Sequence, residues 1–175
     1  MGYIDYLKTG FEILKLNRSA ISSAAKDSEA TKWSILTVVL TYLVVGLIVG
    51  LLFTTLMPLP GVTGSAIIIF YPIIGILGLF IGSGIWYLVA KLFKSEGEYM
   101  SLVRPLGLAS MINVLSFIPF VSLLVSIWSL VVVVVTVSET QRLDTLKSVF
   151  VVLIPLVVLF LLGLVLGGLF IASML

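Results

Sequence analysis

The side chains able to do chemistry are few, and their positions narrow what they could do. The acids are Asp5, Glu12, Asp27, Glu29, Glu96, Glu98, Glu139 and Asp144, and none falls inside a charge-free stretch. An ionisable residue within the bilayer marks ion paths, proton relays and intramembrane acid proteases, and this sequence offers none. With no His and no Cys, it lacks the usual ligands for zinc, copper, haem and iron–sulfur centres. Cys nucleophiles, disulfides and His-based triads are absent with them. No cofactor and no enzymatic activity are expected. Asn113 is the most polar group within an apolar run, with Ser110 and Ser116 near it. These three could line a polar path, although a single Asn more often bonds a neighbouring helix. Ser110, Ser116, Ser129 and Thr136 can return their hydroxyls to their own helix carbonyls. A serine hydrolase would need a Lys or His base in contact, and no buried one is expected.

Whatever positions these residues must sit in lipid. Of the 175 residues 61% are hydrophobic and 10% charged, and the mean hydropathy is +1.31. An average domain is about half apolar and about a quarter charged. Trp33 to Ala90 carries no charge at all, and two spans of about 20 residues each fit within it. The cluster from Met57 to Gly64, with Pro58, Pro60 and Gly61, should divide them. Pro105 to Ser138 is also charge-free. As one helix it would reach about 51 Å, against a hydrocarbon core of about 30 Å. Pro119 removes a helix hydrogen bond and pushes Ile118 out of helical geometry, so a hairpin is expected. Val131 to Val135 would suggest a strand in water, but an unpaired strand in lipid leaves its amides unsatisfied. No segment alternates as barrel strands do. The expectation is an all-α bundle of five spans, about 33–56, 66–90, 100–118, 120–138 and 148–174. The first run is too long for the apolar core of a cleavable signal. Two units result: a polar segment 1–32 and a five-helix membrane domain 33–175.

In the first segment Ile4, Leu7, Phe11 and Leu14 recur at helical spacing, with Asp5, Lys8, Glu12 and Lys15 opposite. That predicts an amphipathic helix. Its apolar face should lie either in the membrane interface or on the protein's own loops. Every Lys and Arg lies in 1–32, 91–104 or 139–147, which five spans place on one side. The positive-inside rule makes that side cytoplasmic, with the N-terminus in and the C-terminus out; a shallow re-entrant hairpin would give the same parity. Arg104, a turn inside the third span, should snorkel to the headgroups. The charges alternate in sign, as in Lys26-Asp27-Ser28-Glu29, which argues against nucleic acid and against a strong anionic-lipid cluster. Gly46 and Gly50, Gly78 and Gly82, and Gly163 and Gly167 have the spacing that lets helices approach closely. Packing within the chain is expected at these pairs ahead of dimerisation.

From Glu98 onward the order of motifs resembles the Yip1-domain family, especially its short archaeal and bacterial members. The matching residues are Tyr99, Arg104-Pro105-Leu106-Gly107 with Ala109-Ser110, Ile118-Pro119-Phe120, and Ile127-Trp128-Ser129-Leu130. Thr145-Leu146-Lys147 and Val152-Leu153-Ile154-Pro155 complete the series. The resemblance implies a helical membrane protein without known catalysis; eukaryotic members associate with small GTPases and shape or sort transport membranes. No Asp-Leu-Tyr-Gly-Pro segment precedes the first span, and Ser138-Glu139-Thr140 stands where many relatives carry a Gly-Leu-Arg-Glu type stretch. Both departures argue against a small GTPase partner. The expectation is a membrane-organising or protein- and lipid-binding scaffold in a prokaryotic plasma membrane. Its partners would be the lipid bilayer and other membrane proteins or further copies of itself. The alternative is a small channel or transporter subunit with a polar path near Asn113.

Overall fold

The computed structural model describes residues 2–56 and 63–172, with side chains as far as residue 167. Seven α-helices and one 3₁₀ helix account for nearly all of them: α1 (Tyr3–Leu14), α2 (Arg18–Lys26), α3 (Ala30–Leu56), α4 (Gly64–Leu92), α5 (Tyr99–Ala109), the 3₁₀ segment (Ser110–Phe117), α6 (Val121–Gln141) and α7 (Thr145–Ala172). Five stretches are long and apolar enough to cross a membrane: Ala30–Thr55, Gly64–Leu92, Tyr99–Phe117, Val121–Gln141 and Thr145–Gly167. These are the five expected spans, with ends shifted by a few residues. Most of the predicted turn at 57–64, and the last residues of span five beyond 172, lie outside the described residues.

Local chemistry explains the boundaries. Asp5 in the first turn of α1 accepts from the Gly2 amide at 3.0 Å. Asn17 caps α2, accepting from the amides of Ser19 and Ala20 at 3.1 and 3.3 Å. Thr63 caps α4 through the Ala66 amide. Helix α2 falls where the sequence suggested only a polar lead-in, because its apolar side is three small steps, Ile21, Ala24 and Ala25. The third span is also not the continuous α-helix predicted. After Ala109 it tightens into the 3₁₀ segment, whose rise is about 2.0 Å per residue against about 1.5 Å for an α-helix. Nineteen residues so combined reach about 32 Å, the full thickness of a hydrocarbon core. At the far end Ile118 is extended (φ −87°, ψ 115°) and Phe120 turns back with φ 67°. The Ser122 amide then returns to the Ile118 carbonyl at 3.0 Å. Pro119 thus makes the predicted hairpin.

Helix α5 is the hub. Leu102, Val103 and Pro105 to Ala109 are all buried. One apolar cluster joins it to α1, α2 and α6 through Tyr6, Ile13, Ile21, Leu108 and Val132. A second joins it to α4, α6 and α7 through Ala90, Leu102, Val137, Val151 and Val152. Around this centre the outer surface is apolar: Leu51, Ile69, Phe70, Ile81, Leu88 and Leu123 are all exposed. Residues 156–167 of α7 are exposed without exception. Only a solvent of hydrocarbon suits such a surface.

One sequence expectation is narrowed and another needs correction. The face that seats α1 on the bundle is Tyr6, Gly10 and Ile13, so the predicted stripe is turned mostly away from the chain. Ile4 and Phe11 remain 68% and 57% exposed, and Leu7 and Leu14 are half-buried. Gly10 allows the rotation, because a Cβ there would stand 2.7 Å from the Leu108 carbonyl oxygen. Arg104 does not snorkel outward. Its Nε donates to Thr31 Oγ1 at 3.0 Å and its NH1 to the Ala25 carbonyl at 2.7 Å, so it ties α5 to the end of α2 and the start of α3.

Candidate functional site

The ends of α2, α4 and α6 and the start of α5 meet at the charged end of the bundle, around the loop 93–98. That loop is fastened from several sides. Lys94 adopts φ 61°, and the amides of Lys94 and Ser95 bond the carbonyls of Lys91 and Ala90 at 3.0 and 3.2 Å. This is the paired closure that ends many helices, made here without glycine. Lys91 Nζ donates to the carbonyls of Ser95 and Gly97, both at 3.0 Å. Gln141 is wholly buried yet fully used. Its Oε1 accepts from Ser95 Oγ at 3.2 Å, and its Nε2 donates to the Glu98 carbonyl at 3.1 Å and to Ser101 Oγ at 3.4 Å. Gly97 lies so close that a Cβ would stand 2.3 Å from the Thr140 carbonyl oxygen.

Between this loop, α2 and the end of α6 opens a cleft of about 590 Å³, lined by Ser22, Lys26, Glu96, Glu98, Ser101, Arg104, Glu139 and Arg142 among others. Acids and bases balance along its wall. Arg142 pairs with Glu96 at 3.1 Å, and Arg18 reaches Glu139 at 3.5 Å. Both pairs are solvent-exposed, and such pairs contribute about 0–1 kcal/mol each. Ser101 spends its hydroxyl on the Glu98 carbonyl at 2.6 Å, so it is not presented to a base. Among the described residues no group of three or more acids gathers as a metal site would require. The cleft is suited to recognising a polar, mixed-charge surface.

Beside it, α1 is anchored by aromatic packing. Tyr3 and Tyr6 stack on Trp33 at centroid distances of 5.5 and 5.9 Å. Tyr6 donates its phenolic proton to Asp27 Oδ2 at 2.5 Å. That bond to the carboxylate, helped by burial, pushes the phenol up to about 12. Lys15 and Asn17 bond Glu12 and hold its carboxyl below the usual range. Trp128 Nε1 donates to the Leu14 carbonyl at 3.0 Å, closing the far end of α1 onto α6.

The residues nominated for a polar path separate. Asn113 donates to Tyr42 Oη at 3.5 Å, joining the 3₁₀ segment to α3. Ser110 bonds the Gly107 carbonyl at 2.7 Å and Ser116 the Asn113 carbonyl at 2.6 Å. Asn113 and Ser110 face a second cavity of about 160 Å³; Ser116 is exposed elsewhere. The glycine pairs separate likewise. A Cβ on Gly46 would stand 3.0 Å from Tyr71 Cβ, and one on Gly50 would stand 2.8 Å from the Gly64 carbonyl oxygen, where α3 crosses α4. Gly78, Gly163 and Gly167 have open space at the same position, and Gly82 meets only the Trp86 ring, at 3.9 Å. Spacing identifies a stripe of small residues without saying which way the stripe faces. The close approaches that spacing did not reveal are at Gly10, Gly64, Gly75, Gly97 and Gly107.

Five apolar crossing helices, an outer surface of hydrocarbon side chains and a polar end define a multi-pass integral membrane protein in contact with lipid. The Yip1 domain matches residues 11–167, and the chain belongs to that family. The match takes in α1 from Phe11 and the first two spans, well before the segment whose motifs suggested it. Neither a curated protein nor a solved structure matches the chain.

Proposed function

We propose that this protein is a non-enzymatic scaffold of Yip1 type, and that its charged end is the cytoplasmic surface on which partner proteins dock. The supporting observation is the preorganised cleft: Gln141, Lys91 and Arg104 brace it with part-buried bonds, while Glu96 and Arg142 stay largely exposed at its edge. A surface already rigid loses little conformational entropy when it binds. The cationic segments lie at this end, and the positive-inside rule supports N-terminus in and C-terminus out. Ile4 and Phe11 on α1 are exposed, which suits a helix resting in the lipid interface. The plasma membrane of a prokaryote is the proposed location.

Photocrosslinking in native membranes tests the docking surface. A photoreactive residue replacing Lys26 or Glu96 should give discrete protein adducts, whereas one replacing the lipid-facing Ile74 should give lipid adducts only. Equal protein adducts at all three positions, or none at the cleft, reject the assignment. A second reading, a small channel or transporter subunit, is favoured by the cavity that reaches Asn113. Purified protein in liposomes that passes neither ions nor small solutes removes it.

A further inference from the structure

The cavity of about 160 Å³ lies between the end of α1, α3, α4, α5, the 3₁₀ segment and α6, and it collects Tyr42, Ser83, Ser110, Asn113 and Ser129 in one place. Tyr42 is ten residues from Lys32, Ser83 eight from Lys91 and Ser129 ten from Glu139. At about 1.5 Å per residue this puts these three about 12–15 Å below the charged end, and Ser110, six residues from Arg104, about 9 Å below it, all within a core about 30 Å thick. Lipid at that depth supplies no hydrogen bonds.

Two of these hydroxyls are unsatisfied, as is that of Thr136 elsewhere in the bundle. Ser83 is 1% exposed, and neither Ser83 Oγ nor Ser129 Oγ has a partner among the described residues. Elsewhere in the same bundle Ser126 and Thr140 return their hydroxyls to the carbonyl four residues back. Ser83 does not, and the nearby Phe80 carbonyl is taken by Tyr99 Oη at 2.8 Å. Buried polar side chains without partners are exceptional. The lining is mainly apolar, but these few polar groups give water the partners it needs, and at about 30 Å³ per molecule the volume holds up to about five. No formally charged side chain lines it, so an ion would be left uncompensated.

We propose that this cavity is a mid-membrane binding site for small uncharged hydrogen-bonding molecules, either water or a polyol small enough to replace a few waters. Ser83 and Ser129 anchor the guest with their hydroxyls, and Asn113, held by Tyr42, offers its carbonyl oxygen. The inference requires no passage of solute across the membrane, so it stands or falls apart from the transport reading.

The natural chain contains no Cys, so single Cys variants report without background. In the full-length protein in liposomes, S83C and S129C are exposed to a small hydrophilic methanethiosulfonate. Ile81, at almost the same depth on α4 but 58% exposed to lipid, supplies the control I81C. Thiols react as thiolates, which form only where water reaches them, so S83C and S129C should react at least about tenfold faster than I81C. Gly78 lines the cavity and has open space at Cβ, so adding Gly78→Leu to S83C should fill the site and return the rate to that of I81C. Protection of S83C by glycerol, but not by sucrose at equal viscosity, identifies a polyol site; equal rates in both identify water as the guest. Rates at both serines no faster than I81C, in variants that keep the wild-type thermal midpoint, overturn the proposal. So does a fast S83C that Gly78→Leu leaves unchanged.

Discussion

Replacing Arg104 with Leu removes the tie that joins α5 to the α2–α3 corner. Two bonds are lost, to Thr31 Oγ1 at 3.0 Å and to the Ala25 carbonyl at 2.7 Å. Hydrogen bonds to a charged donor contribute about 1.5–3 kcal/mol each. Arg104 is only half-buried, and the Ala25 carbonyl borders the cleft, where water can replace the lost donor. The expected cost is therefore about 2–4 kcal/mol, below the sum of two fully buried bonds. Thr31→Val, which removes one bond and keeps the cation, should cost about 1 kcal/mol. Arg104→Lys should recover less than half the loss, since an ammonium cannot reproduce the planar fork that reaches both acceptors. Denaturant unfolding in micelles measures the totals, and hydrogen exchange locates them. Amides of α2 should lose protection while those of α3 and α4, joined through Gly46 and Gly50, keep theirs. If Arg104→Leu changes stability by less than about 0.5 kcal/mol and α2 exchanges as before, the side chain sits in the headgroups after all, and the corner is held by apolar packing alone.

Other perturbations follow from the same geometry. Gly50→Leu drives a side chain into the Gly64 backbone and should cost about 1–3 kcal/mol, whereas Gly163→Leu, with open space around it, should stay within about 0.5 kcal/mol; equal costs would mean the α3–α4 contact is misplaced. Lys94→Gly relieves a left-handed backbone at φ 61° and should raise stability by about 0.5–1 kcal/mol, and a lower thermal midpoint would refute that. Tyr6, raised from 10 to about 12 mainly by its bond to Asp27, should stabilise the docking of α1 fully below pH 10 and progressively less as pH climbs toward 12, because the fold favours the protonated phenol. The difference in ultraviolet absorbance between wild type and Tyr6→Phe reads that titration directly, and a midpoint near 10 would sever the link between the phenol and α1.

The spans were legible because crossing a bilayer is a constraint on length and polarity, and both are written along the chain. Charges at Lys32, Lys91, Arg104, Glu139 and Lys147 mark the ends, and Pro119 marks a reversal that no unbroken helix could avoid. Rotation about each helix axis is a different kind of information. In water a buried face differs from an exposed one in polarity, but in lipid both are apolar, and the pattern that would reveal rotation fades. This is why Gly46 and Gly163 sit in equally good small-residue stripes although only the first touches another helix. In α1 the apolar stripe and the seating face differ for the same reason: Ile4 and Phe11 stay exposed, while Tyr6, Gly10 and Ile13 seat the helix. The 3₁₀ segment was hidden for a related reason, since its tightening answers the distance to be crossed and leaves no mark in hydropathy. The residues that do carry rotation are the polar ones whose partners lie on another element. Gln141, Arg104 and Asn113 face inward to bonds that fix α6, α5 and the 3₁₀ segment against their neighbours. In a chain so apolar, a polar side chain that bonds across to another helix states which way its own helix must turn, whereas hydroxyls such as those of Ser116 and Ser126, returned to their own helix, do not.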